Sequence, residues 1–373
     1  MPEQNLVRSA LINPGVFHRP EWPDPFRMLE RHDISRPRVC ESSWVSSHRV
    51  SIADTDTSFE VAEGERILTA ALRSGAWVPF ECGWGSCGTC KMTLVSGEVE
   101  TLFPEAPAIS PRDARRNRIL ACQSTPVSDL VVKPTWLENT PREGMATERC
   151  AAVLAGKYEI GPSIFRLHFT LDRAVPFHEG QHAVIELADG MRRCYSMSNR
   201  PGSATVEFIM KRYGGKPGSE AVSALNPGDE VVIEMPYGEM WIQPSEAPVC
   251  LVAGGTGIAP ILSMLHQLSA ERDSRPITVV YGANIYDELV CWPDLASLAA
   301  ELSHAELVGA LATPHPGWEG IEGLVTHALD PLMPRLDDAD FYIAGPPVMT
   351  NAVRQQLSEN GIQLNRIRYD SFG

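Results

Sequence analysis

The chain has 373 residues, 43% of them hydrophobic and 21% charged, which is globular in proportion and longer than one core supports, so two or three domains are expected. No apolar run approaches the roughly 20 residues of a membrane span. A net charge of −15 argues against nucleic acid, whose phosphates call for clustered Lys and Arg.

Residues 1–47 are rich in Pro, Arg and Ser and contain no apolar signal segment, so a cytoplasmic protein is expected. Prolines at 14, 20, 23 and 25 exclude a regular helix there, leaving an N-terminal extension that drapes over the surface or docks a partner. From His48 the pattern changes. "HRVSIAD" and "TSFEVAE" alternate apolar and polar residues around "DTDT", which predicts a β-hairpin. "GERILTAALRSG" predicts a helix stopped at Gly75.

Next comes "ECGWGSCGTCKM", in which Cys82, Cys87 and Cys90 form C-x4-C-x2-C; Cys122 follows after 31 intervening residues in "ILACQS". Nine cysteines are too few for a disulfide scaffold in a chain this long, and four of them grouped in a reducing cytosol point to one metal site. The alternatives are structural zinc or inert buried thiols, but zinc ribbons favour two paired C-x2-C knuckles. Four thiolates on this spacing are the ligand set of a [2Fe–2S] cluster. Gly83, Gly85 and Gly88 suit a loop that turns tightly and aims N–H groups at sulfur. With its flanking hairpin, helix and strand, the segment 48–135 resembles plant-type ferredoxins, which implies a β-grasp domain. Residues 136–146, "WLENTPREGMA", read as a linker.

Residues 147–243 hold the short strand patterns "RCAAVLAGKYEI", "IFRLHFTL", "HAVIEL", "ATVEFIMKR" and "DEVVIEMPYG" between Gly and Pro turns, which suggests a small antiparallel barrel. Within it "RRCYSMSN" carries R-x-Y-S, a pattern that resembles the flavin signature of the ferredoxin–NADP reductase superfamily. The resemblance implies that Arg193 meets the FAD pyrophosphate, that Tyr195 packs on the isoalloxazine, and that Ser196 hydrogen-bonds near its N5. Tyr195 and Ser196 are thus the catalytic candidates. "FIMKRYGGKPGSEAVSAL" resembles the family's second FAD segment, with Gly218 and Ser219 as phosphate donors at a helix N-terminus and Lys211 and Lys216 as supporting cations or plain surface lysines.

Residues 244–373 switch to the βαβ rhythm of a doubly wound parallel sheet. "AGGTGIAP" leaves a strand and opens a helix, and it matches the nucleotide loop of the same superfamily with Gly254, Gly255, Thr256 and Gly257. "YIAGPPVM" resembles the family's C-G-P-x-x-M turn near the nicotinamide, with Gly345 and Pro346 kept but Ala344 where the Cys usually stands. "YGANIYDEL" offers Asn284, Asp287 and Glu288 and no base for a 2′-phosphate, so NADH is expected over NADPH. The closing "RIRYDSFG" resembles the segment that lays an aromatic on the flavin, with Phe372 the candidate and a plain core or tail aromatic its rival.

The order β-grasp ferredoxin domain, FAD barrel, NAD domain is similar to the reductase components of benzoate dioxygenase, phenol hydroxylase and methane monooxygenase systems. That implies a monomer carrying electrons from NADH through FAD to the [2Fe–2S] cluster and on to an oxygenase or hydroxylase docked near the cluster loop. NADH gives up two electrons as a hydride, the cluster accepts one at a time, and a flavin converts between them. The sequence leaves open a deoxysugar-biosynthesis or desaturase partner, and a sensor that holds the cluster without turnover. Arg112, Arg115, Arg116 and Arg118 before Cys122 are either a docking patch or a solvated helix face, and Trp84 either covers the iron or meets the partner.

Overall fold

The computed structural model describes residues 47–371 apart from Trp77, Glu81, Cys82, Trp84, Ser86, residues 136–145 and Asp189. The N-terminal extension up to residue 46, the linker up to residue 145, Trp84 and Phe372 therefore lie outside the described residues.

The first domain opens with the expected hairpin: β1 (Ser47–Ile52) and β2 (Ser58–Ala62) pair antiparallel. α1 (Ile67–Arg73) buries Ile67, Leu68, Ala70 and Ala71. It stops at Gly75, φ +70°, where the Gly75 and Ala76 N–H groups return to the carbonyls of Leu72 and Ala71. Glycine takes that left-handed position without steric cost. Then come β3 (Lys91–Ser96), β4 (Val99–Thr101), α2 (Pro111–Ala114), β5 (Arg118–Leu120), β6 (Ser124–Pro126) and β7 (Leu130–Pro134). The main sheet runs β2-β1-β7-β3-β5 with β1 and β7 parallel, and α1 packs on it, a β-grasp. One expectation is corrected. The arginines do not share a helix: α2 is four residues long, capped by the Ser110 hydroxyl accepting from Asp113 N–H, and Arg118 stands on β5.

The second domain comprises β8 (Glu148–Gly161), β9 (Ile164–Leu171), β10 (His182–Glu186), β11 (Arg192–Ser196), β12 (Thr205–Lys211), α3 (Pro217–Ala224) and β13 (Glu230–Tyr237). Its strands run β11-β10-β13-β8-β9-β12, and a bridge between Met197 and Phe208 brings the two edges together as a barrel around Leu154, Leu167, Phe169, Phe208 and Ile233. The strand that periodicity does not reveal is β11, whose "RRCYS" is too polar to read as one.

The third domain alternates β14 (Val249–Gly254), α4 (Ile258–Glu271), β15 (Ile277–Ala283), α5 (Trp292–Glu301), β16 (Ala305–Leu311), β17 (Ile321–Glu322), α6 (Val325–Leu329), β18 (Asp340–Gly345), α7 (Pro347–Glu359) and β19 (Ile367–Ser371). All pairings are parallel in the order β17-β16-β15-β14-β18-β19. α4 and α5 cover one face and α6 and α7 the other. The order reverses between β14 and β18, which opens a crevice at their C-terminal ends.

Candidate functional site

The cysteine loop brings its chemistry together from two places. Cys90 and Cys122 are buried with their sulfurs 3.3 Å apart, and Cys87 is exposed. That spacing is well beyond the ~2.05 Å of a disulfide. Cys122 sits on the turn Ala121–Gln123, whose Ala121 N–H donates to the Cys90 carbonyl at 3.1 Å. The Thr89 N–H points at Cys87 Sγ, 3.4 Å away. Gly85 takes φ +100°, and a Cβ there would come within 3.0 Å of Gln123. Two thiols held side by side, with a backbone N–H aimed at the sulfur of a third, fit a [2Fe–2S] cluster. Cys82, the fourth expected ligand, lies outside the described residues. Nearby, Asp113 is gripped by Lys91 and Arg118, each at 2.9 Å, and the Lys91 ammonium and the Ser110 hydroxyl hold its carboxyl well below the usual range. Arg112, Arg115 and Arg116 are exposed beside it.

In the barrel, Arg193 from β11 lies against the first turn of α3. A Cβ at Gly218 would fall 1.5 Å from Arg193 Nε, so glycine is what lets the guanidinium meet the helix N-terminus. A cation beside a helix N-terminus suits a diphosphate. The Ser219 hydroxyl is turned into its own loop, accepting from Tyr213 N–H at 3.0 Å, so what Ser219 offers a phosphate is its backbone N–H. Lys216 caps the same helix by backbone alone. Lys211 is elsewhere: its ammonium pairs with Glu288 at 2.5 Å and ties the barrel to the third domain.

Tyr195 is half-buried beside Phe208 (6.3 Å between ring centres), and burial pushes its phenol well above the usual range. Ser196 stands opposite His182 in the β10–β11 pairing, and its hydroxyl donates to Asp370 Oδ2 at 3.3 Å. Asp370 arrives on β19, 174 residues later, within the closing "RIRYDSFG" that pointed to Phe372 instead. His182 Nδ1 lies 3.8 Å from the same carboxylate oxygen, while its buried Nε2 has no hydrogen-bond partner among the described residues. Gly238, φ +92°, makes room for that imidazole: a Cβ would stand 2.8 Å from Nδ1. A helix terminus with an arginine, a half-buried phenol and an orphaned buried nitrogen fit a flavin dinucleotide.

The crevice of the third domain is equally tight. A Cβ on Gly257 would come 2.1 Å from the Ala344 carbonyl oxygen, and one on Gly254 would come 2.3 Å from Met349 Sδ. Gly345, φ +152°, faces the Gly254 backbone in turn. The Gly254–Gly257 loop and the Gly345–Pro346 turn thus close on each other backbone to backbone at the switch point, where a dinucleotide binds in such sheets. Asn284 and Asp287 are exposed after β15.

The first domain is seated on the barrel. Val184 and Tyr237, both barrel residues, are fully buried within the first domain's core cluster. Phe80 meets Tyr237 edge-to-face at 5.5 Å, and a Cβ on Gly83 of the cluster loop would lie 3.6 Å from both Tyr237 and Val184. His182 also stacks on Tyr237, 5.9 Å between ring centres. Cluster loop and flavin-side residues are therefore separated by one layer of side chains.

Three family models match the chain: a 2Fe-2S iron-sulfur cluster binding domain over residues 50–127, an oxidoreductase FAD-binding domain over 151–241 and an oxidoreductase NAD-binding domain over 251–355. The chain is similar to the ferredoxin–NAD(+) reductase component of the alkene monooxygenase system of Xanthobacter autotrophicus, 36% identical, covering 84% of this chain and 98% of that one. It is 34% identical to the reductase component of phenol 2-monooxygenase from a Pseudomonas species, covering 84% and 91%. Among solved structures, the ferredoxin reductase of carbazole 1,9a-dioxygenase matches with a TM-score of 0.80 at 25% identity, covering 88% and 99%. An Amycolatopsis cytochrome P450 reductase matches with a TM-score of 0.76 at 26% identity, covering 87% and 98%.

Proposed function

We propose how this chain works from one premise: it belongs to the ferredoxin–NAD(+) reductase components of oxygenase systems. It is an NADH-dependent oxidoreductase in which a nicotinamide supplies a hydride, FAD takes it and releases single electrons, and a [2Fe–2S] cluster carries them onward. The final acceptor is an oxygenase component. The observation that carries the route is the seating of the Gly83 loop on Val184 and Tyr237, one side chain from the His182–Asp370–Ser196 group.

Each residue is assigned a task, that of Cys82 by its spacing in the sequence alone. Cys82, Cys87, Cys90 and Cys122 hold the cluster. Arg193 and the N–H groups of Gly218 and Ser219 hold the flavin diphosphate. Tyr195 offers a ring face, and Ser196, oriented by Asp370, presents its hydroxyl to the redox edge. The Gly254, Gly255, Thr256 and Gly257 loop takes the nicotinamide dinucleotide, and Gly345 and Pro346 shape the place of its ring. Holoprotein should oxidise NADH with ferricyanide or cytochrome c as acceptor. Protein that binds no flavin when supplied with FAD would refute this reading.

Cofactor choice follows from charge. Asn284 and Asp287 place no cation after β15. We expect NADH to be preferred, and Asn284→Arg with Asp287→Ser to raise kcat/KM for NADPH by about tenfold. An unchanged NADH/NADPH ratio would remove these residues from the ribose site.

The partner docks at the exposed Cys87 edge, beside Arg112, Arg115 and Arg116. Basic groups there steer an acidic surface toward the cluster. Transfer to the oxygenase component should slow about threefold between low and physiological salt, and reversing the three charges should abolish that dependence. A flat salt profile in the parent protein contradicts the patch.

A further inference from the structure

The boundary between the first domain and the barrel contains more charge than adhesion requires. Glu234 stands on the face of β13 turned away from the barrel core, and its side chain is 1% exposed. It accepts from the Tyr237 hydroxyl, from Arg192 at 2.9 Å and, across the boundary, from Thr69 Oγ1 of α1 at 2.9 Å. Glu186 beside it takes Arg149 at 3.2 Å and, again across the boundary, Arg66 at 3.5 Å. Burial works against the ionised Glu234 carboxyl, but Arg192, Tyr237 and Arg149 outweigh it and hold the group below its ordinary value.

Apolar side chains of similar volume would hold two surfaces together as well as a buried ion pair does. What a buried carboxylate adds is a register, because each of its acceptor positions wants a donor and the partners of one network reinforce each other. Thr69 joins Arg192 and Tyr237 on Glu234 Oε1, and Arg66 reaches Glu186, only when α1 is seated in one place; Glu234 Oε2, near Arg149 at 3.5 Å, has no hydrogen-bond partner among the described residues. The same wall, β10 and β13, carries Val184 and Tyr237 against Gly83. Cys87 is exposed with the domains in contact.

We infer that Glu234 and Glu186 form a latch that seats α1 on the barrel through Thr69 and Arg66, which makes Glu234 a positioning residue for transfer from the flavin pocket to the cluster. The inference rests on the electron route proposed above and adds that the first domain delivers electrons from a fixed seat.

The test uses full-length holoprotein with Thr69→Val and Arg66→Gln combined, which leaves the barrel's own Arg192–Glu234 pair intact. After rapid anaerobic mixing with NADH, flavin bleaching should keep its parent rate while cluster bleaching slows about tenfold. The radius of gyration from small-angle scattering should rise. With Arg66→Gln kept, serine at position 69, which retains the hydroxyl, should recover most of the lost rate. Parent rates and parent dimensions in the double variant overturn the latch, as does a serine variant as slow as the valine one. If the parent cluster does not bleach with NADH, the electron route fails instead, and the scattering comparison decides the latch by itself.

Discussion

Replacing Cys87 by serine is expected to lower NADH-dependent cytochrome c reduction about a hundredfold or more while leaving flavin bleaching by NADH within about twofold. Serine preserves the shape of the exposed loop but offers a weak ligand in place of a thiolate. The residues assigned to the flavin and nucleotide, Arg193, Ser196 and Gly254–Gly257, belong to other elements of the chain and are not altered. Ferricyanide, a small acceptor that draws electrons from the flavin directly, should still be reduced. Equal loss with all acceptors would contradict the order of transfer, because it would place the cluster before the flavin or make the loop a support for the barrel.

Gly218→Ala should weaken FAD binding about a hundredfold without removing any charge. The new methyl would start 1.5 Å from Arg193 Nε and 2.0 Å from its Cζ, so the guanidinium must move. Arginine is long enough to swing aside, so the barrel survives. The phosphate then loses charge-assisted hydrogen bonds worth about 1.5–3 kcal/mol each. The loss of one to two of them corresponds to roughly a hundredfold. Equilibrium binding followed by flavin fluorescence measures this directly, with Arg193→Ala as the comparison. A Gly218→Ala protein that retains the parent affinity would take the diphosphate away from α3.

Much of this architecture is legible in the sequence because its chemistry is local. A cluster loop must present thiols at short, fixed spacing, and a phosphate loop must pack glycines between a strand and a helix, so Cys82–Cys90 and Gly254–Gly257 announce themselves. Gly75 stops α1 for a backbone reason that any sequence would show. What stays hidden depends on contacts between distant segments. Asp370 meets Ser196 across 174 residues, and Thr69 meets Glu234 across 165. In "VVIEMPYG" the alternation places Glu234 opposite the barrel core, where a lone strand would expose it; burial comes from a second domain that the strand cannot reveal. Lys211 suggests a phosphate cation because it lies near the loop in sequence, whereas Glu288 is nearer in space. The arginines of "SPRDARRNRIL" suggest one helix face, but a capping box at Ser110 and Asp113 supports a single turn before the chain extends into β5. The family models match all three domains in the expected order.

The most direct test of the central claim is an anaerobic NADH titration of the FAD- and cluster-loaded chain, followed at flavin and cluster absorbance with no other acceptor present. Transfer from NADH through the flavin to the cluster predicts that both chromophores bleach, flavin first on rapid mixing, and that Cys87→Ser keeps the flavin signal and loses the cluster signal. A parent protein whose flavin bleaches while an intact cluster stays oxidised would contradict it.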